Sequence, residues 1–208
     1  MKITIINGSP KARGSASELI IKAFQSKLGP NAECTVCHAA LWAGPKVVET
    51  ATMSDAIVLV FPLYVDSIPS HLLRLLDTQG GALSAAAPGA KVYAVVNNGF
   101  YEGRQNAVAL EILRNFCARY GLTWGQGLGV GAGGVITAVP MDSWPLRPLD
   151  KALDDFADAV AKGAIGEDVF ITSNLPRFVY QLSAHSEWRK LAKKHGLTTK
   201  QLYQRPAK

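Results

Sequence analysis

Asn7-Gly8-Ser9-Pro10-Lys11 follows directly on a short β-branched run at residues 3–6, and the helix-prone stretch beyond it opens on Ser15-Ala16-Ser17. Such a loop gathers small residues, hydroxyls and a cation at a helix N-terminus. Unpaired N–H groups and the positive end of the helix dipole favour a bound phosphate there. Two further loops carry a ring beside a small or amide residue, as a flat polar heterocycle requires. They are Pro62-Leu63-Tyr64-Val65, after the apolar run 56–61, and Asn97-Asn98-Gly99-Phe100-Tyr101, after the apolar run 92–96. Taken singly, each has a plainer reading: Gly-Ser-Pro as a turn, Pro62 to Tyr64 as a strand exit, Asn-Asn-Gly as a tight turn. Together, at three successive strand ends, they point to a phosphorylated, ring-bearing cofactor.

Competing chemistries find less support. The P-loop pattern G-x-x-x-x-G-K-S/T is absent, and so are G-x-S-x-G, H-E-x-x-H and any paired-carboxylate constellation. Gly129-Val-Gly131-Ala-Gly133-Gly134 has the form G-x-G-x-x-G. It stands after the fifth strand with no βαβ unit behind it, and reads as a loop that lets backbone approach a ligand or partner. Cys34-Thr-Val-Cys37-His38 has the C-x-x-C-H form of haem attachment. The pair sits in strand-like sequence, however, and two structural thiols are the expected reading. The four histidines show no metal-ligand spacing. No side chain is assigned a catalytic role.

The elements that must hold these loops alternate. Strands are expected at 3–6, around 33–37, at 56–61, at 92–96 and within 122–130. Helices are expected at 15–27, from Pro69 onward, along the stripe Leu110, Leu113, Phe116, Cys117 and Tyr120, and at 149–162. Five strands alternating with helices imply an α/β, doubly wound parallel sheet, whose ligands bind beyond the carboxyl ends of the strands. The alternating pattern ends near residue 165, giving a body of 1–165 and a basic, mostly helical extension of 166–208.

At 208 residues with 48% hydrophobic content, the chain has enough apolar material for a sizeable core. The longest apolar run, 56–65, is interrupted by Pro62 and falls short of a membrane span of about 20 residues. With no secretion-type leader in the sequence and few cysteines, a cytoplasmic location is expected. Residues 177–208 carry eight Lys or Arg against one acid, Glu187. Residues 1–176 carry 14 basic against 15 acidic residues, so the net charge of +6 resides in the tail. A basic tail suits an anionic partner. The stretch 191–202 has the look of a helix-turn-helix step, although some 32 residues hardly support a complete DNA-binding unit.

The motifs Asn7-Gly-Ser-Pro-Lys11, Phe61-Pro-Leu-Tyr-Val-Asp-Ser-Ile-Pro69 and Asn97-Asn-Gly-Phe-Tyr101 resemble those of the flavodoxin-like NAD(P)H-dependent FMN reductases, over roughly residues 1–160. The resemblance implies a flavodoxin-like five-stranded sheet of order 2-1-3-4-5. It implies an FMN phosphate held by Ser9, Lys11, Ser15, Ala16 and Ser17. The isoalloxazine would lie between Pro62, Leu63, Tyr64 and Val65 on one side and Asn97, Asn98, Gly99, Phe100 and Tyr101 on the other. NADPH or NADH would be the electron donor and a quinone, flavin or similar small molecule the acceptor, with Tyr64, Phe100 and Tyr101 shaping its pocket. A homodimer or homotetramer is expected. Ala16 departs from the Asn-Thr-Ser of many relatives, removing a hydroxyl while keeping the N–H. The alternatives are an electron carrier without NAD(P)H activity, which such a basic chain fits poorly, and a binding protein whose tail contacts nucleic acid.

Overall fold

A computed structural model of the chain describes residues 1–11 and 13–204. It divides into two compact units, Met1–Asn174 and Leu175–Lys208; the last four residues of the basic tail lie outside the described residues. The first unit is built on a parallel sheet of order β2-β1-β3-β4-β5-β6. Its strands are β1 (Lys2–Asn7), β2 (Glu33–His38), β3 (Ala56–Pro62), β4 (Lys91–Asn97), β5 (Thr123–Val130) and β6 (Val169–Ile171). The helices between them are α1 (Ala16–Lys27), α2 (Gly44–Ala51), α3 (Ser70–Ala86), α4 (Ala107–Tyr120) and α5 (Arg147–Lys162).

The central strands are apolar throughout because both sheet faces are covered. Ile57, Leu59 and Phe61 of β3, with Val92, Ala94 and Val96 of β4, face a core shared with Val47 of α2, Leu72, Leu76 and Leu83 of α3, and Leu110 and Leu113 of α4. The intervening residues point to the opposite face. There Tyr93 meets Phe156 of α5 edge-on at 6.0 Å, and Phe156 meets Phe24 of α1 at 5.7 Å. Each helix is thus held by its apolar stripe, and each strand end is free to carry a loop.

Two expectations are corrected. The sheet has six strands where the sequence predicts five, and the body ends after Asn174 instead of residue 165. The added strand β6 pairs parallel with β5 through Leu128, Gly129 and Val130, and α5 is the crossover that brings it there. The order β2-β1-β3-β4-β5 of the remaining strands is as expected. Helix α2 is also an addition to the sequence reading. In the second unit, α6 (Arg177–Lys194) is followed by a left-handed Gly196 (φ +73°) and a short 3-10 run, Thr199–Tyr203, capped by Thr198 and Gln201. The second element of the supposed helix-turn-helix is therefore a single tight turn, too short to lie in a DNA groove.

Candidate functional site

The carboxyl ends of β1, β3 and β4 carry the three loops singled out above, and Asn97 ties them together. Its carbonyl accepts the Leu63 N–H at 2.8 Å, joining the β3 and β4 loops. Its Oδ1 accepts the Ser17 hydroxyl at 3.3 Å, joining the start of α1. Asn97 is 6% exposed and Ser17 1%. Buried polar groups in such a junction persist because they are paired.

The first loop is wound on its own side chains. Asn7 Oδ1 accepts the Ser9 N–H at 3.0 Å, and Ser9 Oγ accepts the Lys11 N–H at 3.2 Å. Gly8 is packed so closely that a Cβ there would lie 2.5 Å from Leu72 Cδ2. Ser15 caps α1, its Oγ accepting the Glu18 N–H at 3.1 Å. The amides of Ala16 and Ser17 belong to the first helical turn, where no intrahelical carbonyl reaches them. Ala16 accordingly offers backbone only. The Lys11 ammonium is folded back onto the Gly14 carbonyl at 3.0 Å.

Sequence reasoning missed Glu18. Its carboxylate accepts the Gly14 N–H at 2.7 Å and the Lys22 ammonium at 2.7 Å. The Lys22 hydrogen bond, then that of Gly14, holds its pKa below the usual carboxylate value. An acid thus occupies one donor of a loop otherwise suited to an anion. The helix signal of Glu at the third position after a Ser cap could have revealed it.

The β3 loop closes as a two-residue hairpin. Tyr64 and Ser67 exchange both backbone hydrogen bonds at 3.0 Å, while Val65 (φ +50°) and Asp66 (φ +56°) turn left-handed. A β-branched residue in that region is strained. Val65 is also 97% exposed, so no packing offsets the strain. Pro62 ends β3, Leu63 is buried beneath the loop, and the Tyr64 ring stands half in solvent.

The β4 loop is braced from the sheet edge. Asn98 N–H donates to Val130 O at 3.0 Å, its Nδ2 to Glu102 O at 3.2 Å, and its carbonyl accepts the Gly133 N–H at 2.7 Å. Ala132 N–H donates to Phe100 O at 2.6 Å. Thr172, just past β6, donates its hydroxyl to Tyr101 O at 3.1 Å and accepts the Gly103 N–H at 3.3 Å. Within the glycine-rich run 129–134, Gly131 and Gly133 are closed by the β4 loop: a Cβ on Gly131 would lie 2.3 Å from Tyr101 O, and one on Gly133 2.6 Å from Asn98 O. These two glycines admit the backbone of the β4 loop. Asn98 is 2% exposed, yet its Oδ1 has no partner among the described residues. Phe100 is exposed at the tip.

The cysteine pair is settled by geometry. Cys34 and Cys37 lie three residues apart in β2, so they point to opposite faces about 10 Å apart along the strand and cannot bridge. Burial pushes the Cys37 thiol up to about 12, and Cys117 likewise.

No sequence-family model matches this chain, and no curated protein sequence does. Solved structures do. An NADH:FMN oxidoreductase in its apo form superposes with a TM-score of 0.60 at 16% identity, over 80% of this chain and 91% of that one. An FMN-dependent NADH-azoreductase from Bacillus anthracis, in complex with FMN, gives 0.56 at 13%, over 77% and 100%. A short-chain flavodoxin associated with a bacterial microcompartment gives 0.54 at 14%, over 79% and 99%. The class is thereby defined: the chain has the flavodoxin-like fold, with its candidate site at the strand ends where order reverses between β1 and β3.

Proposed function

We propose that this protein is an FMN-dependent oxidoreductase that draws on NADPH or NADH and reduces a quinone, a flavin or a similar small acceptor. The observation that carries the reading is the junction at Asn97, which brings the loop with phosphate-binding character against the two ring-bearing loops. The residues present suit the cofactor. Ser9, Ser15 and Ser17 are buried hydroxyls around a helix N-terminus, and Asn98 Oδ1 is a buried acceptor without a partner among the described residues. Likeness to reductases and to a flavodoxin alike is consistent with FMN, and the basic composition favours a reductase over an electron carrier.

When bound, FMN supplies the two-electron exchange between donor and acceptor, so the chain needs no nucleophile or acid–base pair. The loop 9–17 binds the phosphate through the Ala16 and Ser17 amides and the three hydroxyls, with Lys11 moving from the Gly14 carbonyl to the anion. The β3 and β4 loops orient the ring system. Asn98 hydrogen-bonds its polar edge, and Leu63 screens it from water below. Tyr64, Phe100 and Tyr101 bound the space in which the acceptor stacks. The exposure of Tyr64 and Phe100 suits completion of that pocket by a second copy, hence the expected homodimer or homotetramer. No described helix is long and apolar enough to cross a membrane, and a cytoplasmic location is the expectation that goes with a nicotinamide donor.

The test is direct. FMN is added to the purified protein, the excess is removed by desalting, and the visible flavin bands are recorded. Retained bands in the protein, weakened by Ser9→Ala and by Ser17→Ala, are the expected result. Complete loss of flavin on desalting at every loading concentration contradicts it.

A further inference from the structure

A cavity of about 520 Å³ lies between the loop after β2 and helix α3, on the face of the sheet away from α1. Its walls include Trp42, Ser70, His71, Arg74, Thr78 and Gln79, and no carboxylate lines it. The ring nitrogen Nε2 of His71 is buried and without a partner among the described residues. The His71 imidazole is also hydrogen-bonded to the backbone of Gly8, and His38 acts on it electrostatically. Both nitrogens of His38 are buried and equally unpartnered among the described residues. Arg74 follows one turn into α3, and no described acid pairs with it. The helix starts at Pro69 with no side-chain cap, leaving its first amides to a ligand or water. On the opposite side, Trp42 is half-buried against the core and carries the Lys46 ammonium 4.6 Å from its ring centroid.

Unpaired buried nitrogens are costly unless something meets them. One of them, Nε2, belongs to His71 in the cavity wall, where Arg74 adds a guanidinium and no competing anion stands. An aromatic wall and the amide and hydroxyl of Gln79 and Thr78 complete it. The size falls within the range of small-molecule sites. We propose that this cavity is a second ligand site, which takes a nucleotide: its phosphate against His71 and Arg74, its base beside Trp42 and within reach of Gln79 and Thr78. The ligand chemistry is that of an adenylate, supplied either as a free nucleotide or as the adenylate end of a nicotinamide dinucleotide.

The test uses the full chain without flavin, so that it stands apart from the flavin assignment. With only four histidines in the chain, the imidazole signals of His38 and His71 are resolved by NMR while 5′-AMP or inorganic phosphate is added. Saturable shifts of the His71 signal are expected with 5′-AMP, and weaker ones with phosphate. Arg74→Ala should weaken the 5′-AMP affinity about tenfold, and Trp42→Leu should weaken 5′-AMP while leaving phosphate unchanged. Displacement of 5′-AMP by NADPH or NADH assigns the site to the donor's adenylate, and failure of displacement assigns it to a free nucleotide; either upholds the site. Absence of saturable shifts with 5′-AMP overturns the proposal. So does loss of FMN retention in Arg74→Ala, which would merge this cavity with the flavin site.

Discussion

Glu18 shows how much one side chain can decide. A phosphate approaching the first loop competes with a carboxylate already seated on the Gly14 amide. Glu18→Gln removes the charge and keeps the cap geometry. FMN affinity, measured by fluorescence quenching, should rise. Val65 gives the second residue-scale prediction. Its left-handed backbone is strained and unsupported, so Val65→Gly should stabilise the flavin-free protein by about 1 kcal/mol, a rise in Tm of about 2–4 °C. His71 gives the third. Burial, opposed by its bond to Gly8, holds its pKa below the ordinary 6.5. A histidine depressed in the folded state binds fewer protons folded than unfolded. Its contribution is therefore present above about pH 6.5 and lost as pH falls through that value toward the folded pKa. Urea unfolding at two pH values spanning that window should show the loss, and His71→Gln should reduce it. The thiols supply a control: with Cys37 and Cys117 both pushed to about 12, neither should react with a disulfide reagent near neutral pH until the chain unfolds.

At the scale of elements, the loops work because strands of different sequence position end together. Thr172 stands just past β6, outside the body as the sequence delimits it, and yet it fixes the β4 loop at Tyr101 and Gly103. Thr172→Val should cost about 1–2 kcal/mol by leaving the Gly103 amide short of an acceptor, and should weaken FMN retention with it. The alternation of strands and helices was legible because β3 and β4 are continuous apolar runs and because the helices behind them carry clear stripes, while the order β2-β1-β3-β4-β5 was implied by the resemblance to the FMN reductases. The strand β6 was not, having three residues of which Val169 is exposed. Helix α2 was also hidden. It is eight residues long, opens on Gly44-Pro45 without a side-chain cap, and buries only Val47 and Ala51. At the site, the sequence indicated which loops meet, since residue types at strand ends carry that signal. It could not indicate the use of Gly131 and Gly133 against the neighbouring loop or the role of Asn97 as the tie. Those depend on distances across the sheet.

For the whole molecule, charge and packing divide at the same place. The unit Met1–Asn174 contains the sheet, its helices and all the candidate flavin contacts. The second unit holds the whole basic excess, and its helix α6 exposes Phe178, Leu182 and Trp188. A chain ending at Asn174 should fold with the same sheet and retain FMN equally, as circular dichroism and desalting would show. The measurement that bears most directly on the central claim is anaerobic mixing of the FMN-loaded full chain with NADPH and, separately, with NADH, following the visible flavin bands. The account predicts that at least one donor bleaches the bands and that a quinone added afterwards restores them. Bands that persist in excess of both donors would contradict the reductase and leave an electron carrier in its place.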